Sequence, residues 1–372
     1  MNIGNLVAAA AALWFAATAS GADCLVYAGT YAGGASRGIY GYRFDTRSGR
    51  MKSLGQMAEA SSATFLVAHP DHRFLYAVNQ DGNSVSSFVI APKSGKLSPI
   101  NQAPSKGEGP CHLALDRSGR WLAVANCGGS VALLPLRRDG GLAEAQTSIR
   151  EHGPGGNPQV RTEPHPHGVL FSPDNRFLLV ADQGLDRIFV YKFDAATGSL
   201  TPADPPFAPA AAGAGVLHLV FHPNGRVLYA IDERSPGVTM YRYDAAGGGL
   251  SPIQTVSTLP NGYRGPGTAS EIALNAAGTL VYGANRGPDC MALLVVDPLH
   301  LTLSPLECTP LVGGTPEYFA LDPSGAYLMV ANRDSNNITV YTVHPHSGQL
   351  RPVGRSVVNL DRPACVVFVP AS

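Results

Sequence analysis

Charge is scarce in this chain and carries no preferred sign. Only 15% of its 372 residues are charged, with 27 Lys and Arg set against 27 Asp and Glu. Nucleic-acid binding needs a concentrated cationic surface to displace phosphate counterions, and no basic block supplies one. Six cysteines are present, but none is spaced as Cys-x-x-Cys or set against histidines in a zinc pattern, so no structural metal is expected. A haem-attachment Cys-x-x-Cys-His and a glycine-rich dinucleotide loop are equally missing, so no cofactor is expected. Nowhere between the apolar segments do ten or more residues follow a helical period, which excludes a parallel sheet with crossover helices.

Long apolar runs are confined to the N-terminus. Residues 1–22, MNIGNLVAAAAALWFAATASGA, read as a secretory signal cut after Ala22, with Ser20 and Ala22 at the −3 and −1 positions. The stretch is short for a membrane span, and no Lys or Arg precedes its apolar core. The mature chain is therefore expected to form one domain over residues 23–372, periplasmic or secreted, monomeric and free of the membrane. Export also permits disulfides.

What the chain holds in quantity is turn formers, 42 Gly and 30 Pro among 45% hydrophobic residues. They punctuate an internal repeat: FLVAHPDHRFLYAVN (65–79), HLALDRSGRWLAVAN (112–126), GVLFSPDNRFLLVAD (168–182), HLVFHPNGRVLYAID (218–232), EIALNAAGTLVYGAN (271–285) and YFALDPSGAYLMVAN (318–332). Each copy is an apolar run, a turn and a second apolar run, the pattern of a β-hairpin. The turn positions His72, Gly119, Asn175, Gly225, Gly278 and Gly325 are spaced 47, 56, 50, 53 and 47 residues apart. A third strand follows (SVSSFVI, RIFVYKF, NITVYTV), and several copies close with SGKLSP, TGSLTP or SGQLRP before a fourth. Four antiparallel strands at this period make a β-propeller blade.

Six hairpins are visible, and the chain ends supply a seventh blade. LVYAGTY (25–31) has the form of a second strand without its first, and CVVFV (365–369) that of an inner strand without its partner. Pairing them closes the ring and leaves no free edge. The expected fold is all-β, a seven-bladed β-propeller closed by its N- and C-terminal strands. On this frame Cys111 and Cys127 are symmetric about one hairpin turn, and Cys290 and Cys308 about Leu299. Both pairs are disulfide candidates. Cys24 and Cys365 fall at opposite ends of paired strands, where no bridge is expected.

Seven residues after each turn position stand Asn79, Asn126, Asp182, Asp232, Asn285 and Asn332, which turn chemistry explains without a ligand. The next column varies: Gln80, Cys127, Gln183, Glu233, Arg286 and Arg333. At the start of the first strand stand Thr64, Cys111, His167, Leu217, Ser270 and Glu317, followed by Phe65, His112, Gly168, His218, Glu271 and Tyr318. Antiparallel pairing brings these columns to one end of the channel. His112, His167, His218, Glu233, Glu271, Arg286, Glu317 and Arg333 should converge there, although strand alternation should keep neighbouring columns from all pointing inward. Imidazole, carboxylate and guanidinium groups in one concavity are the makings of a small-molecule site. His165, two residues before His167, could share its face as a metal pair, but no third ligand is evident.

Several stretches resemble the bacterial 6-phosphogluconolactonase and carboxymuconate-cyclase family of seven-bladed propellers: YAGTY (27–31), GPCHLALD (109–116), HPHGVLFSPDNRFLLVADQGLDRIFVY (165–191), FHPNGRVLYAIDE (221–233), ASEIALNAAGTLVYGANRG (269–287) and LDPSGAYLMVANRDSNNITVY (321–341). The resemblance implies lactone chemistry, ring opening by water or the reverse cyclisation. Carried over by motif, it implies His167, Glu233 and Arg286 as catalytic residues, with a carboxylate or imidazole activating water and Arg286 stabilising the oxyanion. His112, His218, Glu271 and Arg333 are the expected substrate-binding neighbours. The chain departs from the family pattern where Gly-Pro-Arg-His becomes GAGVLH, placing Leu217 at the arginine position, and where a later Pro-Arg becomes Pro-Glu, ending at Glu317. Losing these cations argues against a phosphorylated or carboxylated substrate. Two readings stand: a lactone hydrolase, favoured by the joint presence of His167, Glu233 and Arg286, and a non-catalytic propeller binding a ligand or protein at the same mouth, favoured by Leu217.

Overall fold

The structure, a computed structural model, describes residues 23–153 and 163–370. The segment assigned to an export signal, residues 1–22, lies outside the described residues. Within them the chain forms 28 strands and no helix, arranged as seven four-stranded antiparallel sheets. Each hairpin of the repeat becomes the two inner strands of one blade. In blade 4, for example, Pro166–Phe171 pairs with Phe177–Asp182, then Arg187–Asp194, then the outer strand Ser199–Pro209.

The six aligned turn positions share one backbone conformation. His72, Gly119, Asn175, Gly225, Gly278 and Gly325 all have φ between 60° and 71°. Each donates its amide to the carbonyl three residues earlier, as Gly119 does to Asp116 at 2.9 Å. A type I turn closed by a left-handed residue demands Gly or Asn, which explains why these two dominate the column.

Ring closure is as expected. Blade 1 runs from the C-terminal strand Pro363–Pro370 through Cys24–Thr30 and Ile39–Asp45 to Arg50–Ala58. Cys24 faces Pro370 and Gly29 faces Cys365, so the two cysteines lie at opposite ends of the pair. Cys290 and Cys308 form a disulfide joining the third and fourth strands of blade 6, with Cα atoms 5.8 Å apart. Cys111 and Cys127 are not bridged, contrary to the symmetry read from the sequence. The reason is register: Pro110 pairs with Asn126 and His112 with Ala125, leaving Cys111 as an extra residue in the ladder, so it does not oppose Cys127.

The core is divided among the blade interfaces. Seven apolar clusters each join one blade to the next, such as Val26, Tyr42 and Phe44 of blade 1 against Tyr327, Met329 and Val340 of blade 7. Buried tyrosines add directional ties. The hydroxyls of Tyr27, Tyr229 and Tyr282 each donate to a carbonyl in the outer turn of the following blade, at Gly95, Leu301 and Gly348. A phenol can be buried in this way because its polar end is satisfied while its ring contributes apolar area.

The Asn/Asp column is structural. All six residues are buried, and they fasten the end of the second strand to its neighbours. Asn79 donates to Ser84 and Ser86, Asn332 to Asn337 and Thr339, and Asp182 accepts from the amides of His165, Gly184 and Leu185. Asp232 accepts from Thr239 Oγ1 at 2.8 Å, and burial pushes its carboxyl up to about 7.

Two outcomes follow. Deleting residues 363–372 removes the strand that closes blade 1 and should abolish the single cooperative thermal transition seen by circular dichroism; an unchanged melting curve would mean that the ring does not need closure. For Asp232, the native carboxyl holds its proton up to pH about 7, whereas the unfolded one releases it near 3.8, so stability falls as pH rises through that window. Asp232→Asn places the residue found in four other blades, keeps an acceptor for Thr239 and cannot ionise. Its melting temperature should gain on wild type from pH 4 to 7 and then hold a constant lead.

Candidate active site

In six of the seven blades the channel-facing end of the inner strand carries a β-bulge. In blades 3 to 7 the ladder skips one residue there: Cys111, His167, Leu217, Ser270 and Glu317 have no partner on the second strand. Ala364 occupies the same place in blade 1, between Cys365, which faces Gly29, and Pro363, which faces Thr30. A bulge sets two residues against one and breaks the alternation of side chains. Neighbours therefore reach the cavity together, as Leu217 with His218 and Glu317 with Tyr318 do. The expectation that neighbouring columns would not all point inward holds where Cys111, His167 and Ser270 line the cavity without His112, Gly168 and Glu271, and the bulge relaxes it at Leu217–His218 and Glu317–Tyr318. Gly168 is the exception that makes room. A side chain there would place its Cβ 2.4 Å from the Leu217 carbonyl oxygen of the adjacent blade.

A cavity of about 60 Å³ opens at this end, with Tyr31, Phe65, His167, His218, Arg286 and Glu317 in its wall. Two hydrogen-bonded groups contribute to its lining. The first is a line of imidazoles ending on a carboxylate. His167 Nδ1 lies 3.2 Å from His218 Nε2, and His218 Nδ1 lies 3.0 Å from Glu271 Oε2. Glu271 is buried and is held in turn by the amide of Ile272 at 2.8 Å. The order of donors follows from these contacts. Glu271 requires a proton on His218 Nδ1, which leaves His218 Nε2 to accept from His167 Nδ1, so the basic nitrogen of His167 is Nε2.

His112 stands behind this line, its ring 4.0 Å from that of Phe65 and 4.8 Å from that of His218. Burial, reinforced by His218 and His167, holds its imidazole well below the usual range. It therefore stays neutral and packs as an aromatic ring, with the Val169 amide approaching Nδ1 at 3.4 Å.

The second group is an ion cluster. Arg286 reaches Glu233 Oε1 at 2.9 Å and Glu317 Oε1 at 3.2 Å, while Arg333 reaches Glu317 Oε2 at 3.3 Å. The other oxygen of Glu233 accepts from the side-chain amide of Gln183. Tyr31 donates its hydroxyl to Glu317 Oε1 at 2.8 Å, and burial together with that carboxylate raises its phenol, which remains protonated. Arg333 also pairs with Asp334 at 2.9 Å. Arg286 and Arg333, the two guanidiniums of this cluster, thus both have carboxylate partners.

All seven residues singled out in the sequence, His112, His167, His218, Glu233, Glu271, Arg286 and Arg333, lie in or directly behind these two groups. Glu271 and His112 support His218, whereas His167, His218 and Arg286 line the cavity itself. Glu317 joins both arginines and was placed by its column. Tyr31 was missed. It is the blade 1 member of the column that holds Glu233 and Arg286, since Thr30 pairs with Pro363 as Asn126 does with Pro110. Extending the column to the N-terminal strand would have found it.

Comparisons with known proteins agree with this architecture. Residues 25–368 match the family model described as lactonase, 7-bladed beta-propeller. A 6-phosphogluconolactonase of Bacillus subtilis is 30% identical over 348 residues, covering 92% of this chain and 97% of the relative. One from Formosa agariphila is 29% identical over 332 residues, covering 86% and 92%. Among solved structures, the periplasmic gluconolactonase of Pseudomonas aeruginosa superimposes with a TM-score of 0.88 at 33% identity, over 94% of this chain and 100% of that one.

Proposed function

The chain belongs to the seven-bladed β-propeller lactonase family, and on that premise we propose that it hydrolyses a non-phosphorylated sugar lactone with His167 as general base and Arg286 as electrostatic partner of the oxyanion. The observation that carries this reading is the line Glu271–His218–His167, which ends at a cavity that Arg286 also lines. Water delivers its proton to His167 Nε2 as its oxygen bonds to the lactone carbonyl carbon. Negative charge develops on the carbonyl oxygen beside Arg286. The ring C–O bond then breaks, and the leaving ring oxygen takes the proton back from His167, giving the open hydroxy acid. His218 and Glu271 set the orientation and tautomer of His167 and stabilise its protonated form. Glu233 accepts hydrogen bonds on both oxygens, which suits it to positioning Arg286. His112 and Arg333 would flank the substrate without exchanging protons with it.

The charge balance argues for an uncharged substrate. A phosphate would have to draw Arg286 or Arg333 away from Glu233 and Glu317, and the two places where the family pattern has arginine hold Leu217 and Glu317. A cavity of about 60 Å³ suits the reacting end of a lactone, with the remaining ring in the open mouth. Export to the periplasm fits the same picture, supported by residues 1–22 and by the description of the Pseudomonas aeruginosa relative as periplasmic. The protein would work there as a monomer.

The test is hydrolysis of glucono-δ-lactone and 6-phosphogluconolactone by the mature chain, with the uncatalysed rate subtracted. Wild type should favour the first, and His167→Asn should lower kcat/KM by about 100-fold or more with the fold retained. No activity on either lactone, or full activity in the variant, would overturn the reading. Glu317→Gln should move the preference toward the phosphorylated lactone, because it releases the two arginines from a shared carboxylate. An unchanged ratio of kcat/KM values would remove charge balance as the determinant.

A further inference from the structure

Beside the imidazole line the structure sets two cysteines that the proposed hydrolysis does not use against the histidine that it does. Cys111, Cys127 and His167 each bring one ligand atom to a common point, and these atoms all lie within 4.8 Å of one another. The bulges are responsible. Cys111 is the bulged residue of blade 3 and His167 that of blade 4, so adjacent inner strands push both toward the same part of the channel wall. Cys127 joins them from the end of the second strand of blade 3, where its amide is anchored to the Gly109 carbonyl at 2.9 Å. Cys111 and His167 both line the cavity.

We propose that Cys111, Cys127 and His167 form a binding site for a soft divalent cation of the Zn²⁺ type, with its fourth coordination position open to the channel. Two thiolates and one imidazole are a donor set for Zn²⁺, and three protein ligands with one open position are the usual arrangement where the ion meets solvent or substrate. Bond lengths of about 2.3 Å to sulfur and about 2.0 Å to nitrogen place tetrahedral ligand atoms about 3.5–3.8 Å apart. Closing from 4.8 Å needs at most about 1.3 Å of contraction, within reach of side-chain rotation. His167 is already backed by His218 and Glu271, and metal-bound imidazoles are oriented by hydrogen bonds of this kind. Burial raises the Cys111 thiol, and a bound cation would offset that cost by replacing the proton.

The site has a consequence for the reaction proposed above, on which this part of the inference rests. An ion on His167 Nε2 occupies the basic nitrogen, and an ion on Nδ1 breaks the bond to His218. Either way a bound ion takes His167 out of its role as general base, so it should inhibit the hydrolysis that runs through that residue.

The experiment is Co²⁺ titration of the mature chain with Cys111 and Cys127 reduced and the Cys290–Cys308 disulfide intact by mass spectrometry. A thiolate-to-cobalt charge-transfer band saturating at one ion per chain is expected, displaced by Zn²⁺ and absent in Cys127→Ser and Cys127→Ala variants that melt like wild type. Zn²⁺ should inhibit lactone hydrolysis in wild type and leave the Cys127 variants active. No thiolate band in the reduced protein, or a band that persists in both variants, would overturn the site. Because the band needs no substrate, a chain that binds Co²⁺ but hydrolyses no lactone would uphold the metal site and reject the lactonase reading.

Discussion

The extra residue at the channel end of six of the seven inner strands is the constraint on which the site depends. A regular strand turns alternate side chains away from the channel, and a ring of regular strands would offer one functional position per blade at this end. The bulge turns a second residue inward. It brings His167 alongside His218 of the next blade and sets Glu317 where it can join Arg286 and Arg333. Each blade remains a four-stranded antiparallel sheet, with further register shifts in several blades where the third and fourth strands pair. Its rigidity comes from apolar clusters between blades, which hold the frame while the inner-strand bulges shape the channel end.

The electrostatics at the mouth follow from the same packing. Arginines and carboxylates that are largely buried must neutralise one another, since an unpartnered charge there would cost more than the pairing returns. The outcome is a cluster with fixed geometry and little net charge. The imidazole line is built on another principle. Its one buried carboxylate, Glu271, lies at the far end from the cavity, so polarity runs from the core toward His167. Anchoring at Glu271 and an open end at His167 suit proton transfer, whereas the mutual pairing of Arg286, Glu233 and Glu317 suits recognition and charge stabilisation.

Much of this was legible in the chain. Period-two apolar runs separated by turn formers gave the hairpins, their spacing gave the blades, and the incomplete strands at Leu25 and Cys365 gave the closure. The columns gathered His167, His218, Glu233 and Arg286 because antiparallel pairing puts the two ends of a hairpin at one edge. The bulges were not legible, since an inserted residue leaves the run of residue types looking like ordinary alternation. That is why Cys111 and Cys127 read as a facing pair. Tyr31 was hidden for another reason: its inner-strand partner comes from the opposite end of the chain, and no local repeat marks it.

The sequence by itself determined the architecture, because hydrophobic periodicity and turn chemistry are local properties that each repeat carries whole. It also determined which chemical groups would meet at the channel, since those depend only on position within the repeat. Tertiary structure decided which of them touch. The His167–His218 contact, the sharing of Glu317 between two arginines and the approach of Cys111 and Cys127 to His167 all join different strands or different blades. Such contacts depend on angstrom-scale displacements at the bulges and on how each blade is set against the next, and neither quantity is written in the order of residues along any one strand.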